Sequence, residues 1–309
     1  MPKEYIVNVS VATVWTSPGP KRVLDEPSLK NPVNIEKWLK GMTTSERSSL
    51  CDDNLIQTQV LYGERVVVIN TSGEWAEVVI PSQPSSKNKE GYPGWIPSCQ
   101  LQQIDTEMWN KDKTAVVTSK ITHLLNEKGT KITDLSYLTE LPVQGKDDTH
   151  IHVLSPHGTA YLPWEDADVH PVSLGRPKEN GENIIKIGKG FVGLPYLWGG
   201  LSAFGYDCSG FSYSMHKAAG YQIPRDAGDQ AKQGQEIPFD LLMPGDLLFF
   251  AYEEGKGKLH HVGIYYGQGK MLHSPHTGKN IEILTLDGTV YEKELCNARR
   301  YWHDTEEPA

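Results

Sequence analysis

The chain has 309 residues, with 38% hydrophobic and 22% charged side chains, 29 glycines and 20 prolines. At roughly 100–200 residues per domain, this allows two or three domains with real cores, built from short strands and many turns. A net charge of −9, from 30 basic and 39 acidic residues, excludes the basic footprint of a nucleic-acid binder and disfavours docking on anionic lipid.

The opening stretch, Ile6-Val-Asn-Val-Ser-Val-Ala-Thr-Val-Trp15, is rich in β-branched residues and reads as strand until Ser17-Pro-Gly-Pro20 breaks it. It carries no apolar signal core, and no run reaches the ~18 residues of a membrane span. A polar stretch from Pro32 to Leu50 reads as a helical insertion, since Thr44 and Arg47 bracket a capping-like segment. Strands resume at Ile56-Gln-Thr-Gln-Val-Leu61, Glu64-Arg-Val-Val-Val-Ile69 and Trp75-Ala-Glu-Val-Val-Ile80. After a polar loop comes Gly91-Tyr-Pro-Gly-Trp-Ile-Pro97.

A second, weaker copy of this pattern follows. It runs through Thr114-Ala-Val-Val-Thr118, Lys131-Ile-Thr-Asp-Leu135, Thr139-Glu-Leu-Pro-Val143, His150-Ile-His-Val-Leu154 and Thr159-Ala-Tyr-Leu-Pro163. Both copies end on an aromatic, an aliphatic and a proline (Trp95-Ile-Pro97 and Tyr161-Leu-Pro163), which reads as an internal duplication. The linker Gly175-Arg-Pro-Lys-Glu-Asn-Gly181 opens a third region. Here Ile184, Ile187 and Phe191 have helical spacing, and a second helix runs from Ser209 to about Ala219. Pro244-Gly-Asp-Leu-Leu-Phe-Phe250, Val262-Gly-Ile-Tyr-Tyr266, Lys270-Met-Leu-His273 and Ile281-Glu-Ile-Leu-Thr285 are consecutive strands. Helices first and strands after predict an α+β domain.

The four cysteines form no CxxC pair, so a zinc knuckle is not predicted, and reduced thiols are the simpler reading. Taken alone, a cysteine is more often an inert buried thiol than a nucleophile. Cys208 differs in its setting: it follows a Gly-rich turn and opens a helix, where unpaired N–H groups and the dipole favour a thiolate. Gly210 leaves room for a substrate backbone. His261 precedes an alternating apolar strand, and a lone strand histidine is more often a satisfied core residue. His273 follows the Gly267-Gln-Gly269 hairpin signal, which allows the two histidines to face each other and fixes a tautomer. Four histidines, His260, His261, His273 and His276, have no spacing that preorganises a metal site.

The order Asp-Cys-Ser-Gly-Phe, Pro-Gly-Asp-Leu, His-Val-Gly-Ile-Tyr, Leu-His-Ser, with Pro195-Tyr-Leu-Trp-Gly-Gly200 and Pro224-Arg-Asp226, resembles the NlpC/P60 family of papain-like cysteine peptidases over about residues 183–302. The two repeats in front resemble bacterial SH3-like domains. The resemblance implies two small all-β SH3-like barrels, residues 1–105 with the helical insertion and 106–174, then a papain-like α+β catalytic domain over 175–309. The whole layout is similar to the γ-D-glutamyl-L-diamino acid endopeptidases of murein peptide recycling (dipeptidyl-peptidase VI type).

Carried over, Cys208 is the nucleophile, His261 the general base and His273 the polar third residue. The Cys208 N–H and the Tyr196 hydroxyl bind the oxyanion, and Trp198, Asp207 and Ser209 line the cleft. Asp226 meets the free amine of the substrate; the plainer reading is that it caps the next helix. Tyr92, in an exposed turn, and Gln57 contribute from the first domain. Two departures weaken amine recognition: neutral Gln57 stands where relatives tend to carry an acid, and Ala227 where a serine is common.

The implied function is hydrolysis of the γ-D-glutamyl-L-diamino acid bond of murein peptides with a free N-terminal L-Ala, by a cytoplasmic monomer without metal or organic cofactor and without nucleic-acid or membrane partners. The rivals are a broad endopeptidase acting on intact peptidoglycan, secreted with its export signal removed, and a non-catalytic wall-binding protein.

Overall fold

The structure, a computed structural model, describes residues 3–19 and 22–303. The readings that touch Met1, Pro2, Pro20 and residues 304–309 lie outside these. Contacts divide the chain into two units, the first Met1–Ser82, Glu90–Gly175 and Ser202–Phe204, the second Gln83–Lys89, Arg176–Leu201 and Gly205–Ala309.

In the first unit, the β-branched runs become two seven-stranded sheets. The first holds β1 (Lys3–Val7), β2 (Val11–Trp15), β3 (Ile56–Leu61), β4 (Arg65–Ser72), β5 (Trp75–Ile80), β6 (Tyr92–Pro97) and β7 (Leu101–Gln103). The second holds β8 (Lys113–Val117), β9 (Ile121–Leu125), β10 (Lys131–Ser136), β11 (Glu140–Lys146), β12 (His150–Ser155), β13 (Gly158–Pro163) and β14 (Ala167–Pro171). Their orders, β3-β2-β6-β5-β4-β1-β7 and β10-β9-β13-β12-β11-β8-β14, are the same order strand for strand. The matching Trp-Ile-Pro and Tyr-Leu-Pro endings fall at equivalent places. Pro97 and Pro163 close β6 and β13 with φ of −56° and −57°, and each turns the chain into a single 3-10 turn before the last strand. Proline's fixed φ suits that junction.

The two copies differ between their second and third strands. In the first, the connection carries α1 (Glu26–Leu29), α2 (Ile35–Gly41) and α3 (Thr44–Asp52). Asn34 caps α2 by accepting from Lys37 N, and the cap of α3 falls on Thr43, next to the Thr44–Arg47 segment read as capping-like, with Glu46 completing a capping box. Trp38 Nε1 donates to Asp25 Oδ1 at 2.8 Å, and the Trp38 ring lies 6.2 Å from that of Trp15. The short α4 (Thr106–Trp109) follows β7, and its Trp109 is buried with Leu124, Leu135 and Leu162.

The second unit opens with α5 (Gly181–Lys189), capped by Asn180, which accepts from Asn183 N. It buries Ile184, Ile185 and Gly188, while Ile187, expected on that face, is only half-buried. The short hairpin strands β15 (Leu201–Ser202) and β16 (Gly205–Tyr206) lead into α6 (Cys208–Ala218), followed by α7 (Ala227–Gln230). Then come β17 (Gln235–Glu236), β18 (Leu247–Ala251), α8 (Tyr252–Gly255), β19 (Leu259–Gly267), β20 (Lys270–His273), β21 (Glu282–Thr285), α9 (Val290–Glu294) and β22 (Leu295–Arg300).

The sheet order is β17-β22-β18-β19-β20-β21, so the four expected strands are neighbours, and the unforeseen β22 inserts beside β18. β18 is buried along its whole length, and α6 is buried from Ser209 to His216. Helix α6 contacts β19 and β20, which brings its first residue toward the strands that carry the histidines. Among the described residues, no helix is long and apolar enough to cross a membrane.

Candidate active site

Helix α6 begins where it does because Asp207 ends the extended segment before it. The Asp207 Oδ1 accepts from Gly210 N at 2.6 Å, an N-cap that satisfies one of the free donors of the first turn. Cys208 is therefore the first helical residue, and it is half-buried.

Asp207 is held a second time. Arg225, 1% exposed, places Nη2 2.8 Å from Asp207 Oδ2 and Nη1 2.9 Å from Ser209 Oγ. Asp207 and Ser209 are themselves buried. The two residues expected to line a substrate cleft thus spend their polar atoms on the helix start and on Arg225. Gly210 answers to the same crowding: a Cβ there would meet the Gly200 carbonyl oxygen at 2.2 Å and Asp207 Oδ1 at 2.9 Å. The space that the glycine leaves is filled by this chain's own backbone and not by a substrate.

His261 lies on β19 and His273 on β20, with 3% and 1% exposure. His261 Nε2 and His273 Nδ1 are 2.8 Å apart, with the rings near perpendicular at 79°. Phe250 on the adjacent β18 packs 5.8 Å from the His261 ring on one side. Tyr291, from α9, lies 5.2 Å from His261 and 5.3 Å from His273. Sequence reasoning passed over Tyr291, because a tyrosine in a short polar segment carries no signal of its own.

The resting protonation departs from the expected thiolate. Burial pushes the Cys208 thiol up to about 12, and the Asp207 charge adds to this. The N–H groups of Val262 and Ser209 and the Arg225 charge oppose it without overcoming it. Burial holds His261 well below its ordinary value, helped by His273, His260 and His276. His273 is lowered to about 4 by burial, with His276 adding. At neutral pH the site therefore holds a thiol and two neutral imidazoles, because neither ion is well solvated there.

Tyr196 is buried, donates its backbone N–H to Lys279 O at 2.9 Å, and bridges to Tyr206 just before the Asp207–Cys208 turn. Trp198 is half-buried on the same segment. Asp226 occupies the N-cap position of α7 but makes no side-chain cap; its Oδ2 lies 2.9 Å from Lys87 Nζ, a residue of the same unit. Arg225 N donates to Pro84 O, and Ser86 N to Asp229 Oδ2, so Gln83–Lys89 is pinned beside that turn.

In the first unit, Tyr92 is not in an exposed turn. It lies on β6 at 1% exposure, packed in that sheet's core, and its hydroxyl donates to Gln57 Oε1 at 3.4 Å. Gln57 Nε2 donates to Thr16 Oγ1 at 2.7 Å. All four cysteines are free thiols. Among the described residues, no group of three or more His, Cys, Asp and Glu side chains is placed to hold a metal ion.

Comparison with known proteins fits this geometry. Residues 193–300 match the NlpC/P60 family, and residues 117–170 match the YKFC SH3b2 domain. The chain is 51% identical over 296 residues to the γ-D-glutamyl-L-lysine dipeptidyl-peptidase of Bacillus subtilis strain 168, covering 96% of this chain and 98% of that one. It is 40% identical over 300 residues to the enzyme of the same name from Bacillus cereus, covering 96% and 90%. The crystal structure of an NlpC/P60 family protein from Bacillus cereus superposes with a TM-score of 0.93 at 39% identity, over 97% of this chain and all of that one. A thiol at a helix start, two bonded histidines on neighbouring strands and likeness along nearly the whole length lead to one conclusion: the chain belongs to the NlpC/P60 family of cysteine peptidases.

Proposed function

We propose that the protein hydrolyses the γ-D-glutamyl-L-diamino acid bond of murein peptides that carry a free N-terminal L-Ala, releasing L-Ala-γ-D-Glu. The observation that carries the chemistry is the His261–His273 contact of 2.8 Å on strands packed against the helix that Cys208 opens. The relatives named γ-D-glutamyl-L-lysine dipeptidyl-peptidase support the substrate class.

In this reading Cys208 is the nucleophile. Because thiol and imidazole are both neutral at rest, His261 takes the thiol proton as sulfur attacks the carbonyl, and returns it to the leaving amine. The Cys208 N–H at the helix start and the Tyr196 hydroxyl stabilise the oxyanion. Water then cleaves the thioester. Trp198 flanks the substrate. Asp226 binds the substrate amine, in exchange for Lys87.

The proposed domains are residues 1–105 and 106–174, each closing as a small SH3-like barrel, and a papain-like domain over 175–309. The protein acts as a cytoplasmic monomer.

The test compares hydrolysis of L-Ala-γ-D-Glu-L-Lys, its N-acetylated form and intact sacculi. The free tripeptide is expected to be cut at least about a hundredfold faster than the acetylated one, as for a site built around a charged group. Equal rates with and without acetylation overturn the recycling role. Retained hydrolysis by Cys208→Ala overturns the mechanism.

A further inference from the structure

The two imidazoles leave one nitrogen unaccounted for. A base that accepts the Cys208 proton on Nδ1 carries its own hydrogen on Nε2, and donates it to His273 Nδ1 at 2.8 Å. His273 must then hold its hydrogen on Nε2. That atom is buried and has no hydrogen-bond partner, and buried polar groups are seldom left so. The carboxylate that faces it belongs to Glu282, with Oε1 3.6 Å from His273 Nε2. His273 and Glu282 are direct partners across β20 and β21, so the register of the sheet enforces their proximity.

We propose that Glu282 is a positioning residue of the reaction, acting through His273 as the fourth member of a Cys208–His261–His273–Glu282 series. It holds His273 in the Nε2–H tautomer and stabilises the positive charge that His261 gains. This rests on the reading of Cys208 as nucleophile and His261 as base. In the attack step the Sγ–H bond breaks, a bond forms from sulfur to the substrate carbonyl carbon, and the proton passes to His261 Nδ1. No proton reaches Glu282, which acts by charge alone. At 3.6 Å the contact is longer than a hydrogen bond and tightens when the imidazolium forms.

The other titratable groups around the pair do not supply this charge. His261 comes from β19, His276 from the loop after β20, and Tyr291 from α9, its phenol pushed up to about 12 mainly by burial. His260 on β19 is taken up by Glu294 at 2.9 Å. Cys208 is neutral at rest. Glu282 is half-exposed on the edge strand β21, so solvent screens it and its effect is modest.

The experiment uses the full chain, with Glu282→Gln and Glu282→Asp. Readouts are kcat and KM on the tripeptide, the pH profile, and the rate at which iodoacetamide modifies Cys208, located by peptide mass mapping. Glu282→Gln is expected to lower kcat about five- to tenfold with KM within about twofold, and to slow Cys208 alkylation similarly. It moves the acid limb of the rate profile to lower pH, since loss of an anion lowers the imidazole pKa. Glu282→Asp recovers part of each effect.

Unchanged kcat, acid limb and alkylation in Glu282→Gln overturn the proposal. A protein that never cuts the tripeptide refutes the substrate reading, while alkylation of Cys208 still decides the role of Glu282. Nitrogen-15 NMR of the wild type decides it without any variant: a hydrogen on His273 Nε2 supports the series, and one on Nδ1 overturns it.

Discussion

Gly263 has no Cβ where His273 needs room: a Cβ there would lie 3.2 Å from His273 Cβ and 2.9 Å from Met271 Sδ. Gly263 sits two residues beyond His261 on the same strand, so the same face carries both. The bare position lets His273 lean past it and reach His261. Gly263→Ala is expected to lower kcat at least about tenfold by spreading the two imidazoles, and to cost about 1–3 kcal/mol of stability by overpacking. Tripeptide kinetics and urea unfolding check the two effects separately. A fully active variant would show that the diagonal contact tolerates a methyl group.

Arg225 is the opposite charge that meets Asp207, with Nη2 2.8 Å from Oδ2. Removing it by Arg225→Ala leaves a buried carboxylate beside the thiol, at a cost of about 3–5 kcal/mol. Arg225→Lys keeps the charge but loses the fork that reaches Asp207 and Ser209 together, and falls between. Arg225→Ala is expected to slow alkylation of Cys208, since the Arg225 charge opposes the rise in its pKa, and Arg225→Lys, which keeps that charge, to slow it less. Urea midpoints and iodoacetamide rates measure this.

Stability is expected to fall on acidification. His216, wholly buried, and His273 are both lowered from 6.5 to about 4, mainly by burial, and burial also holds His261 well below its ordinary value. Between pH 6.5 and about 4 the unfolded chain binds protons that the folded chain refuses, so stability rises with pH across that window and is complete above it. Cys208 acts at the other end: its folded value is raised from 9.0 to about 12, so its contribution is intact below pH 9 and is lost as pH climbs through that range. Urea midpoints at acidic, neutral and alkaline pH should trace this dome; a midpoint that holds steady from pH 7 to 4.5 would contradict it.

Lys87 and a substrate ammonium compete for one carboxylate in the proposed function. Lys87→Ala is expected to lower KM for the free tripeptide about two- to fivefold with kcat unchanged, because the exchange no longer costs an ion pair. Asp226→Asn raises KM for the free tripeptide about tenfold and leaves the N-acetylated peptide as it was. Equal effects on both peptides would assign Asp226 to the turn rather than to the amine.

Local pattern made much of the chain legible. β-branched runs and turn residues marked most strands, the doubled aromatic-aliphatic-proline ending marked the repeat, and Asp207 before Cys208 marked the start of α6. What stayed hidden depends on approach between distant segments. Nothing in Pro224-Arg-Asp226 says that Arg225 will be buried against Asp207, and nothing in Gly-Thr-Val-Tyr says that Tyr291 will cover two histidines. The thiolate expected at the helix start failed for a related reason: the helix end is local, whereas the burial that outweighs it comes from the whole fold. Tyr92 misled because Gly91-Tyr-Pro-Gly reads as a turn, yet its backbone pairs with β5 from end to end.

The repeated strand order makes each sheet a reference for the other. Between β2 and β3 the chain spends residues 16–55 on three helices, whereas between β9 and β10 residues 126–130 suffice, closed by Asn126 and Gly129. The same strand order is therefore reached with a long connection in one copy and a short one in the other. A shortened gene that bridges Trp15 to Ile56 with a five-residue turn of the second kind has a blueprint within the same molecule, once Trp15, which packs on Trp38, is replaced by a residue fit for solvent.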